Sequence, residues 1–340
     1  MAKPALCDFK CHDCHVGERG GGIHQQVLKS LCLLGRKHGL YAKDEWVSPS
    51  FSGGVQPEKD EYSPSIDMVW FIDLVDAVGE DKFSRLHSVV SMWTDEKIPR
   101  DVLRFLPYVA FEVEVSDVTS KTVYSDFHNL AATRAAIKIE VIREVGDMNL
   151  KRAERIRESA IRFCGDTDMF VLTIPMLEDI LKMEERFPAS CLLTERETRK
   201  IRPIQKKLVS LGTGLNLKGE AEFTPPECRG VYIPRLDAAW LVSVPKAAAA
   251  LLATISKRYS LRIARDLCHL TLFGFEYEKE TGHKHIAGGV ANLSRHSFIG
   301  FLVAPSEKAF VAKRIVNKYS LAFGYNNIFV VSEDAVLGEA

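Results

Sequence analysis

Ile23, Val27, Leu28, Leu31 and Leu34 recur at helical spacing and predict a helix over 23–34 that stops at Gly35. Strand patterns follow at 40–47, 66–74 and 109–116. The last puts Phe111, Val113 and Val115 on one face and Glu112, Glu114 and Ser116 on the other. Residues 122–135 read as helix, 136–142 as strand, 151–163 as a basic helix and 170–174 as a further strand. The order is α-β-β-β-α-β with an appended α-β, and a short helical insertion near 81–104 separates the second and third strands.

The same order recurs downstream, with the insertion near 246–268, a helix over 285–295 and a strand over 299–304. Local sequence recurs with it. Gly39, Lys43 and Glu45 match Gly214, Lys218 and Glu220, Tyr62, Pro64, Asp67 and Trp70 match Tyr232, Pro234, Asp237 and Trp240, and Phe111, Glu112 and Glu114 match Phe275, Glu276 and Glu278. The offsets drift one way: 175 (Gly39 to Gly214), 170 (Asp67 to Asp237), 164 (Glu112 to Glu276), 163 (Asn129 to Asn292) and 159 (Phe170 to Phe329). Ordered matches with drifting offsets predict a tandem duplication whose second copy carries small deletions. The expected division is a Cys/His-containing tail over 1–19, one copy over 20–185, a charged linker over 186–200 and the second copy over 201–340. A chain of 340 residues, at about 150 per domain, has room for two such units.

Composition narrows the classes. The chain is 46% hydrophobic and 26% charged, an ordinary globular balance. Forty-five basic and forty-five acidic residues leave no net charge, so there is no global basic field and any polyanion would need a local basic lining. The longest apolar stretch, 238–256, is broken by Pro245 and Lys246, and the N-terminus lacks an apolar secretory core. No membrane partner and a cytoplasmic location are therefore expected. Cys32, Cys164, Cys191, Cys228 and Cys268 lie singly among apolar neighbours and read as reduced buried thiols. Cys7, Cys11 and Cys14 cluster with His12 and His15, and His24 follows. Zinc takes four N/S ligands, so Cys7, Cys11, Cys14 and His15 are candidates for structural Zn2+, and a tail with incidental thiols is the alternative.

The acidic residues carry the functional signal. Asp67 stands in a strand of large apolar residues, a costly place for a carboxylate unless it is paired or binds a metal. Glu112 and Glu114 project from one face, and a strand beside Asp67 would bring three carboxylates together. Asp237, Glu276 and Glu278 repeat the set. Oxygen-only groups suit Mg2+. An alternating strand with a wet acidic face is the plain alternative, which the repetition disfavours.

These residues resemble the PD-(D/E)XK, or restriction-endonuclease-like, nuclease superfamily in each half: an Asp on the second core strand, then an acid-x-Lys pair on the third. The resemblance implies an α/β fold of two tandem αβββαβ domains with mixed central sheets flanked by helices. It implies Mg2+, with Mn2+ as a substitute, held by Asp67 and Glu112 and by Asp237 and Glu276. The family lysine is replaced by Glu114 and Glu278, which leaves a proton-accepting or second-ion role for these glutamates. Lys121 and Lys284, near the next helix start, are candidates for a displaced lysine. The expected activity is hydrolysis of phosphodiester bonds in duplex DNA by a monomeric pseudo-dimer, with further oligomerisation open. Residues Lys151, Arg152, Arg155, Arg157 and Arg162, and the stretch Arg199, Lys200, Arg202, Lys206 and Lys207, are the candidate DNA contacts. Two rivals stay open: a non-catalytic DNA-binding or assembly protein built from decayed nuclease domains, and a nuclease for RNA or branched DNA.

Overall fold

The computed structural model describes residues 22–47, 65–95, 98–116, 118–164, 168–184, 187–189, 201–225, 235–263, 265–280, 282–323 and 327–338. Cys7, Cys11, Cys14, His12 and His15, and most of the expected linker, lie outside them.

In the first half the elements run α1 (Ile23–Lys37), β1 (Tyr41–Val47), β2 (Ser65–Asp73), α2 (Leu74–Val78), α3 (Glu80–Thr94), α4 (Arg100–Arg104), β3 (Phe105–Glu114), α5 (Ser120–Ala132), β4 (Ile137–Ile142), α6 (Leu150–Cys164), β5 (Met169–Thr173) and α7 (Ile174–Lys182). The second half runs α8 (Pro203–Gly214), β6 (Lys218–Phe223), β7 (Leu236–Ser243), α9 (Lys246–Arg258), β8 (His269–Tyr277), α10 (His283–His296), β9 (Ile299–Ala304), α11 (Ala309–Phe323), β10 (Ile328–Ser332) and α12 (Glu333–Leu337). Each half builds one five-stranded sheet in sequence order, β1-β2-β3-β4-β5 and β10-β9-β8-β7-β6. The first two pairings in each are antiparallel and the last two parallel. The parallel pairs need long crossovers, which α5, α6, α10 and α11 supply.

Three local readings change. Gly35 does not end α1. Its missing Cβ leaves room for the Trp70 indole, which would lie 2.6 Å away, and Trp70 Nε1 donates to the Leu31 carbonyl at 3.0 Å. The helix ends at His38, followed by Gly39 at φ 79°. Gly212, Trp240 and the Leu208 carbonyl repeat the arrangement at 2.6 and 2.8 Å. These anchors put the first helices at an offset of 177 (Gly35 to Gly212), not 175, so Glu222 is the counterpart of Glu45, not Glu220. Both residues have left-handed backbone, at φ 47° and 52°, within an unbroken strand register. Helix α5 also begins two residues before the expected start, because the Thr119 side chain accepts from Thr122 N at 3.2 Å.

One face of each sheet contributes to a single continuous apolar core with α1, α3, α7, α8 and α9. Each half lends its inserted helix to the other. Trp93 of α3 packs on Trp240, Phe275 and Phe301 of the second sheet, with ring centroids 5.8, 6.1 and 5.3 Å apart. At the end of α9, Arg258 forms two bonds to Asp179 of α7, and the Tyr259 hydroxyl donates to the Met176 carbonyl at 3.1 Å. The outer faces carry separate cores, under α5 and α6 in the first half and α10 and α11 in the second. Cys268 is disulfide-bonded rather than a reduced thiol, whereas Cys32 and Cys164 keep reduced thiols. Among the described residues no helix is long and apolar enough to cross a membrane.

Candidate functional site

Alternation along β2, β3 and β4 turns Met68, Trp70, Phe111, Val113, Ile139 and Val141 toward the shared core. Asp67, Glu112, Glu114 and Glu140 therefore lie on the outer face, beside α5. The strand register places Glu112 directly opposite Glu140. Asp67 Oδ2 accepts from Val113 N at 2.8 Å, and Glu112 Oε2 accepts from Asp67 N at 3.3 Å, so each acid bonds the strand of the other. Asn129 of α5 donates to Glu112 Oε1 at 3.2 Å.

The second half reproduces this framework. Asp237 Oδ2 accepts from Tyr277 N at 2.8 Å, and Asn292 Nδ2 donates to Glu276 Oε1 at 3.2 Å. Glu278 lies just past the end of β8, and α10 runs beside it: a Cβ at Gly289 would stand 3.6 Å from Glu278 Oε1. The expected convergence of Asp67, Glu112 and Glu114 is thus a real neighbourhood, and so is that of Asp237, Glu276 and Glu278.

Burial decides the electrostatics. Glu112 is 4% exposed, and burial, helped by the negative charges of Asp67 and Asp126, pushes its carboxyl well above the usual range. Burial likewise lifts Glu276 to about 8, with Asp237 adding repulsion, and Asp126 to about 7, with Glu114 and Asp67 adding repulsion. Glu140 is fully buried and its carboxyl is raised well above the usual range: burial acts first, and Asp126, Glu112, Asp67 and Glu114 all oppose its charge. Neither of its carboxylate oxygens has a hydrogen-bond partner. Lys138, two residues earlier on the same face, donates instead to the Ala135 carbonyl at 2.8 Å.

Cations flank both sites. His24 Nε2 is 3.5 Å from Asp67 Oδ1; its pKa is raised chiefly by that hydrogen bond, then by the charges of Asp67, Glu114 and Glu45. Arg202 Nη1 is 3.7 Å from Asp237 Oδ1, and Arg235 pairs with Glu222 at 2.8 Å. Gln205, fully buried, ties Glu222 and Asp237 together with bonds of 2.6 and 3.1 Å.

Lys121 and Lys284 are the second residues of α5 and α10, and both are exposed. Among the described residues neither is ion-paired with a site carboxylate. In the basic helix α6, Arg157 pairs with Glu154 and Arg152 bonds Ser120, while Lys151, Arg155 and Arg162 are exposed. Arg202, a candidate DNA contact by sequence, faces an acid of the site.

Among the described residues no three His, Cys, Asp or Glu side chains are already gathered into a metal-holding group. The donors are all oxygen, the type a hard divalent cation takes, and it commonly uses one or two carboxylates plus water. Sequence reading missed Asp126 and Glu140. Both carried a signal: Asp126 stands three residues before Asn129 on one helical face, and Glu140 interrupts the apolar run 137–142 as Asp67 interrupts its own. Comparison with protein-family models, curated proteins and solved structures finds no match for this chain.

Proposed function

We propose that this chain is a metal-dependent deoxyribonuclease of the PD-(D/E)XK, restriction-endonuclease-like type, hydrolysing phosphodiester bonds of duplex DNA as a single-chain pseudo-dimer. The observation that carries the reading is the repeated carboxylate framework: an Asp on the second strand bonded to the third, and a buried Glu on the third steered by a helical Asn. The element order and the mixed sheets support it.

Asp67 and Glu112, with Asp237 and Glu276 as their counterparts, would hold Mg2+ or Mn2+. When bound, such a cation polarises a phosphoryl group, acidifies water and stabilises a departing oxygen. Asp67 Oδ2 and Glu112 Oε2 are oriented by backbone amides, so little rearrangement is needed to present their free lone pairs. Glu114, half-buried at the end of β3, would accept a proton from an attacking water, with Glu278 as its counterpart. Lys121 and Lys284 stand at helix starts on the same side, where an exposed ammonium would meet the phosphate backbone.

Supercoiled plasmid incubated with Mg2+ or Mn2+ tests the reading. Conversion to nicked or linear circles by the wild type, and none by Glu112→Ala with Glu276→Ala, is the expected result. An intact plasmid under every metal condition would refute hydrolysis of duplex DNA, and parallel RNA and branched-DNA substrates would show whether the same chemistry is aimed elsewhere.

A further inference from the structure

The two halves share a framework but not its surroundings. In the first half Asp126 and Glu140 add two carboxylates to the outer face. Their positions in the second half are Gly289, by the same offset of 163 that relates Asn129 to Asn292, and Leu302, which the register places opposite Glu276. The correspondence is spatial as well. A Cβ on Gly289 would stand 3.5 Å from the Glu276 Cβ, so a side chain there meets the acids. Positive charge is distributed the other way. In the second half Arg202 faces Asp237 and Arg235 pairs with Glu222, both permanently charged guanidiniums. In the first half the cation that faces Asp67 is His24, which can give up its proton, and Lys138 is turned to the Ala135 carbonyl.

Glu140 makes the contrast decisive. It is fully buried, both carboxylate oxygens lack hydrogen-bond partners, and it stands beside Glu112 in register with it. A buried acid without a donor is costly to keep, and hydrogen-bonded or cation-bound oxygens are the rule. A divalent cation at Glu112 would supply the missing partner.

We infer that the two centres are unequal: the divalent cation belongs to the first half, where Glu140 and Asp126 extend the set of Asp67 and Glu112, and the second half holds its acids with arginine. This rests on the metal-dependent reading above and narrows it: of the two acid pairs named there, Asp67 and Glu112 hold the ion and Asp237 and Glu276 do not, and Glu140 gains a place in the site. By this division the second half engages the phosphate backbone without turnover, and a single binding event nicks one strand.

The test is Mn2+ binding to the full chain, followed by the loss of the free-ion electron paramagnetic resonance signal. Glu140→Leu, which installs the second half's residue, and Asp126→Asn are each expected to weaken Mn2+ roughly tenfold or more. Glu140→Gln keeps the shape and provides a second reading at the same position. Glu276→Gln is expected to weaken binding far less than Glu112→Gln. Undiminished binding by both Glu140 variants, equal losses from Glu112→Gln and Glu276→Gln, or no Mn2+ uptake by the wild type would each overturn the assignment. Plasmid assays on the same samples separate the two proposals: the expected Mn2+ pattern without cleavage sinks only the nuclease reading, and cleavage with a flat Mn2+ pattern sinks only the asymmetry.

Discussion

Glu140→Leu in the presence of a chelator isolates what the buried acid costs the fold. The side chain is fully buried with both oxygens unpartnered, and leucine, of similar volume, already occupies the matching position 302. Relief of an unsatisfied buried polar group is worth about 1–3 kcal/mol. At pH 5 a gain of about 2 kcal/mol is expected, or roughly 3 °C in melting temperature for a chain this long. The sign of the pH dependence follows from the raised pKa. Above the ordinary glutamate value of 4.5 the unfolded chain releases this proton and the native one keeps it, so native wild type binds more protons and loses stability as pH rises. The gap between variant and wild type should widen by up to about 1.4 kcal/mol per pH unit until the native group ionises. Thermal melts by circular dichroism at pH 5 to 9, in a buffer with chelator, measure it. A variant that melts below wild type, or a gap that stays constant with pH, would refute the reasoning. Adding Mn2+ should narrow the gap, because wild type gains about 2.7 kcal/mol at a hundredfold excess over its dissociation constant and a variant that binds tenfold more weakly gains only about 1.4.

Metal-free wild type should lose stability from pH 4.5 to about 8 as the unfolded chain releases the proton that native Glu276 retains; urea denaturation in chelator at each pH shows it. Trp93→Ala, which removes the aromatic contact from α3 to the second sheet, should cost about 3–5 kcal/mol in urea denaturation. Gly212→Ala should cost about 1–3 kcal/mol, because the new methyl would stand 2.6 Å from the buried Trp240 indole; an unchanged urea midpoint would contradict that packing. Arg202→Ala should strengthen Mn2+ uptake by the second half, read as added binding capacity in the resonance titration, since the guanidinium facing Asp237 is gone.

The order of elements was legible from periodicity alone, and so was the recurrence of Asp67, Glu112 and Glu114 as Asp237, Glu276 and Glu278. Alternation along a strand fixes which face a residue occupies, and an acid amid apolar residues signals a constrained carboxylate whatever lies around it. Periodicity does not say which strand is the neighbour or where register slips. The Gly35–Trp70 and Gly212–Trp240 contacts set the first helices at an offset of 177, so the match of Glu45 to Glu220 falls two positions short of Glu222, and the register slips instead at Trp70/Phe71 and Trp240/Leu241. The helix predicted to stop at Gly35 continues because Trp70, thirty-five residues away, needs the space a Cβ would fill. Only the packed sheet sets Glu140 against Glu112, brings Asp126 over them from α5 and leaves Gly289 and Leu302 in their places opposite. Whether two copies of one motif have equal chemistry depends on these neighbours, because the local charge and dielectric around a carboxylate are set by residues distant in the chain.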